Sequence, residues 1–371
     1  MNQAELYYLT GKILALDYHP RGREALPALL PRTTEQWQQW VKTASDNKVL
    51  AAAFLSLQRH QLLSCLPADL QEYLQYVLEL NRERNQKIIH QLKEVNTLFQ
   101  GHGISFLVMK GVGHMLDGLY GDVGERMVYD TDILVEPDKM MEAARLMHQQ
   151  GYITQKEFNP RALESTMHYP ILLREDKVAG VEIHRMPVQY LYHKHFDGEK
   201  VFARQVSSRQ IPGFRLMHPH HRIVHNFMHA QLMHSGHYHA QVSLRDLYDL
   251  LLMSREENLQ EVFAQWGYFP SAAQGYLKLM YKCFGLEMPR ELSQSRRGKG
   301  LLRRHKRVLT MNPGRRKWYL VSIMAAQKYL VLPARILWNR QARNYVFARL
   351  FSVSWYGAHF RAVKRILRRK S

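Results

Sequence analysis

Asp130-Thr131-Asp132-Ile133-Leu134-Val135 is the stretch that decides how this 371-residue chain is read. Ile133, Leu134 and Val135 predict a strand anchored in a core, with two acids at its beginning. Residues two apart on a strand share a face, so both carboxylates point at one place, their Cα atoms roughly 6.5–7 Å apart. Carboxylates that close raise each other's pKa unless a cation lies between them. Hard, oxygen-binding Mg²⁺ (or Mn²⁺) answers that need, with substrate phosphates completing its shell.

Upstream, the apolar run Ile104–Met109 reads as a buried strand, followed by the corner Lys110-Gly111 and a helix over Val112–Tyr120. The loop Gly121–Tyr129 then leads to the two aspartates. Downstream, Pro137 opens a helical pattern over Asp138–Gln150 that stops at Gly151. Met167–Arg174 and Lys177–His184 read as two more strands joined by the turn-like pair Glu175-Asp176. In Val181-Glu182-Ile183-His184 the alternation sets Glu182 and His184 on one face. Three carboxylates from two strands, Asp130, Asp132 and Glu182, can hold two metals about 3.5–4 Å apart for an in-line displacement. Glu175 and Glu199 are rival claimants to the place of third acid.

Further out, Ala68–Gln100 carries a helical apolar stripe that ends at Gly101-His102-Gly103. Helical spacing resumes from about Leu216. Leu244, Leu247, Tyr248, Leu251 and Leu252 share a stripe, with Asp246 and Asp249 off it, to be read as surface acids first and as acids lining a nucleotide cleft second. Eight of the 20 histidines lie between His218 and His239. His221, His225 and His229 step by four and could ligate zinc, but no Cys or acid stands in sequence with them, and a packed polar helix face is the expected reading. The order predicts an α+β fold, a small mixed β-sheet core flanked by N-terminal and C-terminal helical regions. Its expected divisions are an N-terminal helical region over 1–103, an α/β core over 104–215, a helical domain covering the cleft over 216–291, and a strongly basic helical tail over 292–371.

The formal charge of +20 is unevenly spread. Residues 292–371 hold 21 Lys plus Arg and no acid, leaving 31 basic and 32 acidic residues before them. The excess charge therefore concerns partners of the tail. An anionic membrane surface met by interfacial helices is the first expectation, a charged exposed helix pair with neither role the second, and RNA the third. Cys65 and Cys283 are too few for a disulfide framework or a four-cysteine zinc site. Glu5 interrupts the N-terminal apolar pattern, and no run of about 18 apolar residues occurs. A cytoplasmic protein, peripheral to the membrane at most, is expected.

The run Leu107–Gly111, then Leu119-Tyr120-Gly121-Asp122, Arg126 and Asp130–Val135 resembles the uncharacterised nucleotidyltransferase family, within the DNA polymerase β-like nucleotidyltransferase superfamily. Members read L-K-G, then L-Y, then R-x-x-x-D-x-D-h-L-V. Gly151-Tyr152, Val181–His184 and Arg245–Leu250 continue the order. The superfamily's usual Gly-Ser or Gly-Gly before the first helix is replaced here by Lys110-Gly111. The resemblance implies transfer of NMP from an NTP, ATP being the first candidate, to an unidentified acceptor with release of pyrophosphate. It also implies catalytic and metal-binding roles for Asp130, Asp132 and Glu182. Lys110, Gly111, Arg126 and His184 are expected to contact the nucleotide, although Arg126 could instead pair with Asp130, and His184 could orient Glu182. Kinase-like phosphoryl transfer at the same metals and a non-catalytic nucleotide-binding adaptor are the alternatives.

Overall fold

The apolar run behind the two aspartates is the middle of a seven-stranded mixed sheet. The computed structural model describes residues 1–19 and 21–347, together with Tyr356, Gly357, Phe360, Arg361 and Lys364. Most of the tail's last basic cluster, Arg365 to Lys370, and the aromatic residues Phe351 and Trp355 lie outside the described residues. The strands are β1 (Phe106–Val108), β2 (Asp130–Val135), β3 (Ile153–Thr154), β4 (Leu172–Leu173), β5 (Gly180–His184), β6 (Val206–Ser207) and β7 (Arg215–Leu216). Their order across the sheet is β3-β4-β5-β2-β1-β7-β6. β2 pairs antiparallel with β1 and parallel with β5. Ile133, Leu134 and Val135 have no exposed surface, as a near-continuous apolar run requires when both faces of a strand are covered.

The helices flank this sheet, and the α+β architecture is the one expected. β2 occupies the residues read from the sequence. The strand expected over Met167–Arg174 is reduced to β4 and an isolated antiparallel bridge between His168 and His184. Pro170 lies between them and has no N–H to give a ladder. The helix expected from Val112 begins at Lys110 and ends at Leu116. Gly118 follows in the left-handed region, at φ +73°, and turns the chain away.

The long helix Ala68–Gln100 does more than bury its stripe. Its buried Asn81 and Asn85 stand one turn apart and donate to the loop that delivers β2. The Asn81 amide reaches the Gly124 carbonyl at 2.6 Å and the Arg126 carbonyl at 3.2 Å. The Asn85 amide reaches the Val123 carbonyl at 2.6 Å and the Arg126 carbonyl at 2.8 Å. Two turns on, Gln91 donates to the Ala179 carbonyl at 2.9 Å, at the entry to β5. One helix thus sets the height of both acid-bearing strands.

The first helix, Gln3–Leu14, packs on Pro270–Phe284. Gly11 permits the contact, because a Cβ there would lie 2.1 Å from the Cys283 carbonyl oxygen. The basic helix Lys299–Thr310 buries Leu301, His305, Val308 and Leu309. Both cysteines are free thiols.

Replacing Asn85 by Leu keeps the volume and removes the donor from two buried carbonyls. The expected loss is about 1–3 kcal/mol of unfolding free energy, read by urea denaturation. An unchanged midpoint would show that the loop is held by other means.

Candidate active site

The register of β2 against β5 brings the acids together. Asp132 stands directly opposite Glu182, and Asp130 opposite Gly180. Alternation places Asp130, Asp132, Glu182 and His184 on one face, while Thr131, Ile133, Val181 and Ile183 point to the other. Asp132 is buried, and Asp130 and Glu182 are half-buried. His184 is fully buried at the end of β5.

Two groups hold the Asp132 carboxylate. Lys110 Nζ donates to Oδ1 at 2.5 Å, and His184 Nε2 reaches the same oxygen at 2.8 Å. His184 Nε2 also lies 3.4 Å from Glu182 Oε2. Burial alone would raise the Asp132 pKa, but Lys110 and His184 outweigh it and hold the carboxyl well below the usual range. Burial pushes Asp130 up, the Asp132 charge adds to it, and Lys110 only partly opposes them. Glu182 is desolvated too, yet His184 and His168 bring it below its ordinary value. The site therefore presents three carboxylates against a single ammonium.

His184 Nδ1 is buried and has no hydrogen-bond partner. A second proton there would meet no acceptor. The two acids draw the imidazole pKa upward against burial. A neutral ring carrying its proton on Nε2 serves both carboxylates and leaves the orphaned Nδ1 as an unprotonated lone pair. His168 packs 5.0 Å from the His184 ring and turns its own Nδ1 to the Tyr169 carbonyl at 2.8 Å. Nothing in the sequence pattern singled out His168. Its place follows from the bridge to His184.

Asp132, Glu182 and His184 each offer one ligand atom, all within 4.8 Å of one another. Among the described residues this is the group with the geometry of a metal site. Two hard carboxylate donors, with Asp130 on the same face, suit an oxygen-preferring divalent cation. His184 serves better as the donor that orients Asp132 than as a ligand, because ligation through Nε2 would force its proton onto the orphaned Nδ1.

The other expected site residues are placed differently. Lys110 reaches the acids from a left-handed corner, φ +52°, an unusual backbone for a side chain of its size. Gly111 is needed for packing: a Cβ there would lie 3.2 Å from Val128 and 3.4 Å from the Arg126 guanidinium. Among the described residues Arg126 has no ion pair with Asp130. It is buried against Asp249, with Nε to Oδ1 at 3.0 Å and Nη2 to Oδ2 at 2.8 Å, and its Nη1 donates to the Met127 carbonyl at 2.7 Å. Tyr120 completes the cluster, its hydroxyl donating to Asp249 at 2.6 Å. This pairing takes up the Arg126 fork in joining helix Leu244–Met253 to the core. Asp249, read as a surface acid, is buried. Beside this clamp the Tyr248 hydroxyl donates to buried Glu125 at 2.6 Å.

His225 and His229 keep neighbouring rings, 6.3 Å apart, but among the described residues His221, His225 and His229 are not a group with the geometry to hold a metal ion. His225 Nε2 meets the Pro187 carbonyl at 2.8 Å, and His229 meets His234 at 2.9 Å. Glu175 and Glu199 are exposed, the first on a turn and the second at the start of helix Gly198–Ala203.

A family model described as uncharacterised nucleotidyltransferase matches residues 33–280. No curated protein matches the chain.

Asp249→Ala leaves the Arg126 guanidinium buried without its anion. The expected cost is about 3–5 kcal/mol, measured by chemical denaturation. A loss no larger than that of a surface substitution would show that Arg126 is free to turn toward the site.

Proposed function

This chain belongs to the uncharacterised nucleotidyltransferase family, and we propose that it transfers NMP from an NTP, ATP first among them, to an acceptor, releasing pyrophosphate. The observation that carries the reading is the facing pair Asp132 and Glu182 on β2 and β5, with Asp130 two residues upstream. Asp130, Asp132 and Glu182 hold Mg²⁺, which Mn²⁺ can replace. The bound cation supplies Lewis-acid stabilisation of the charge on the phosphates. In this reading residues 104–215 carry the chemistry and residues 216–291 cover the cleft.

Each side chain then has a task. His184 keeps Asp132 oriented through Nε2–H. Glu182, held ionised by its histidine neighbours, accepts the proton of the attacking hydroxyl. Lys110 has its ammonium beside Asp132 and would meet the triphosphate as a point charge. Arg126 takes no part in binding and keeps the helical cover on the core.

Full-length protein with Mg²⁺, ATP labelled at the α or γ position and a cell lysate as the acceptor source tests this. Label from the α position on an acceptor is expected, falling by roughly 10²-fold or more in Asp132→Asn, the scale of losing one electrostatic stabiliser. Label from the γ position would replace this reading by kinase chemistry. Label from neither, with Mg²⁺·ATP still bound in Asp132→Asn, would leave a nucleotide-binding adaptor.

The tail carries a second, separable reading, contact with an anionic membrane surface. Among the described residues no helix is long and apolar enough to cross a membrane. Helix Pro313–Ala326 has no buried residue and continues without a break through Gln327–Val331 into Leu332–Trp338. Trp318 is 65% exposed, Leu330 69% and Leu337 72%, on a stretch without a single acid. Exposed aromatic and aliphatic side chains among cations suit a headgroup interface better than a nucleic-acid backbone, which needs the charge alone. Sedimentation with vesicles containing phosphatidylglycerol should carry down the full chain, and Leu330→Glu with Leu337→Glu should release it. Binding to RNA that these changes leave intact, with no vesicle binding, would reverse the assignment.

A further inference from the structure

Glu182 has a neighbour on its other flank that the proposed chemistry leaves idle. Across β5 from the aspartates, His168 bridges His184 in antiparallel register. Two backbone bonds flank this bridge. One runs from Tyr169 N–H to the Ile183 carbonyl at 2.8 Å, the other from Arg185 N–H to the Met167 carbonyl at 2.9 Å. That pattern makes His168 and His184 the kind of facing pair whose side chains stand closest, on one side of the sheet. Their ring centres lie 5.0 Å apart. His168 is therefore on the acid face and diagonal to Glu182, a separation that aromatic and long side chains span. Asp132 stands opposite Glu182 on β2. Glu182 thus has a carboxylate on one flank and an imidazole on the other.

The tautomer of that imidazole follows from its own backbone. His168 Nδ1 lies 2.8 Å from the Tyr169 carbonyl oxygen, which only accepts, so Nδ1 carries the proton. In the neutral ring Nε2 is then an unprotonated lone pair. Burial, followed by His184, holds the ring below the ordinary histidine range. Lys110 adds to that lowering, while Glu182 and the Tyr169 carbonyl act the other way. His168 therefore waits as a neutral base. It is only half-buried, so a proton placed on it has a way out to water.

We propose that His168 is a proton-relay residue, receiving on Nε2 the proton that Glu182 takes from the attacking hydroxyl and releasing it to solvent. This rests on the nucleotidyltransferase reading, in which Glu182 must be a carboxylate again before it can hold the next cation. In the attack the acceptor O–H bond breaks as its oxygen bonds to the α-phosphorus. The bond from that phosphorus to the bridging oxygen breaks, and pyrophosphate leaves with the electron pair. The proton then passes from the Glu182 carboxyl to His168 Nε2, which restores the carboxylate and leaves an imidazolium beside it. By ordinary basicity an imidazole takes a proton from a carboxyl, about 6.5 against about 4.3. A relay of this kind serves an acceptor that has a proton to give up, an alcohol, and is superfluous for a phosphate that arrives ionised.

His168→Asn tests the relay, because its amide still donates to the Tyr169 carbonyl while nothing replaces Nε2. With α-labelled ATP, Mg²⁺ and a cell lysate as the acceptor source, the full-length variant should transfer label roughly tenfold to a hundredfold more slowly. That is at or below the lower end of general-base effects, since Glu182 still takes the first proton. Affinity for Mg²⁺ with α,β-methylene ATP, by calorimetry, should match the parent's. Added imidazole should restore part of the rate in His168→Asn and none in Asp132→Asn. An unchanged rate overturns the relay, as does a loss that comes with weakened nucleotide binding and that imidazole does not relieve. Nitrogen-15 spectra of the full chain labelled at histidine give a readout independent of turnover, with His168 identified by its absence from His168→Asn. The Nδ1–H tautomer is expected, and the Nε2–H tautomer overturns the relay. Parent protein that transfers no α-label would sink the transferase reading and the relay with it, whereas transfer undiminished in His168→Asn would sink the relay alone.

Discussion

The charge balance on one carboxylate organises this protein. Asp132 is buried in the middle of the sheet, where an unpaired charge could not persist. Lys110 and His184 both close on its Oδ1, from a corner after β1 and from the end of β5. Three adjacent strands are therefore tied at one oxygen. The same contacts leave the face rich in negative charge, because Asp130 and Glu182 share a single ammonium with Asp132. The contacts that stabilise the fold locally also leave Asp132, Glu182 and His184 grouped with the geometry to hold a metal ion.

The remaining polar contacts keep that face in place. Asn81, Asn85 and Gln91 use one side of a long helix to hold the approaches to β2 and β5. Arg126 and Asp249 fasten helix Leu244–Met253 to the same approach loop, in a buried pair supported by Tyr120. A buried pair of this kind contributes little net stability over an apolar contact, but it is intolerant of losing one member. Its value here is geometric: it fixes where helix Leu244–Met253 sits relative to the loop that leads into β2.

The helices outside the sheet are not independent attachments. The first helix meshes with Pro270–Phe284 closely enough to require Gly11, and the basic helix Lys299–Thr310 docks through Leu301, Val308 and Leu309. That packing is what brings Lys48 and Arg316, far apart in the chain, to the lining of one cavity. The excess charge of the last 80 residues thus divides, part turned inward to the cavity and part outward beside exposed aromatic and aliphatic side chains.

Local pattern settled much of this. The strand Asp130–Val135, the long helix Ala68–Gln100 and the shared face of Glu182 and His184 were all legible, because side-chain period and burial are properties of neighbouring residues. β3, β6 and β7 were not, since two-residue strands carry no period. Tertiary structure alone decided the use of Arg126. Its anion, Asp249, lies 123 residues away, and on its own helix looks like any acid off an apolar stripe. His168 was silent for the same reason: a side chain acquires its role from groups that only folding brings within a few ångströms.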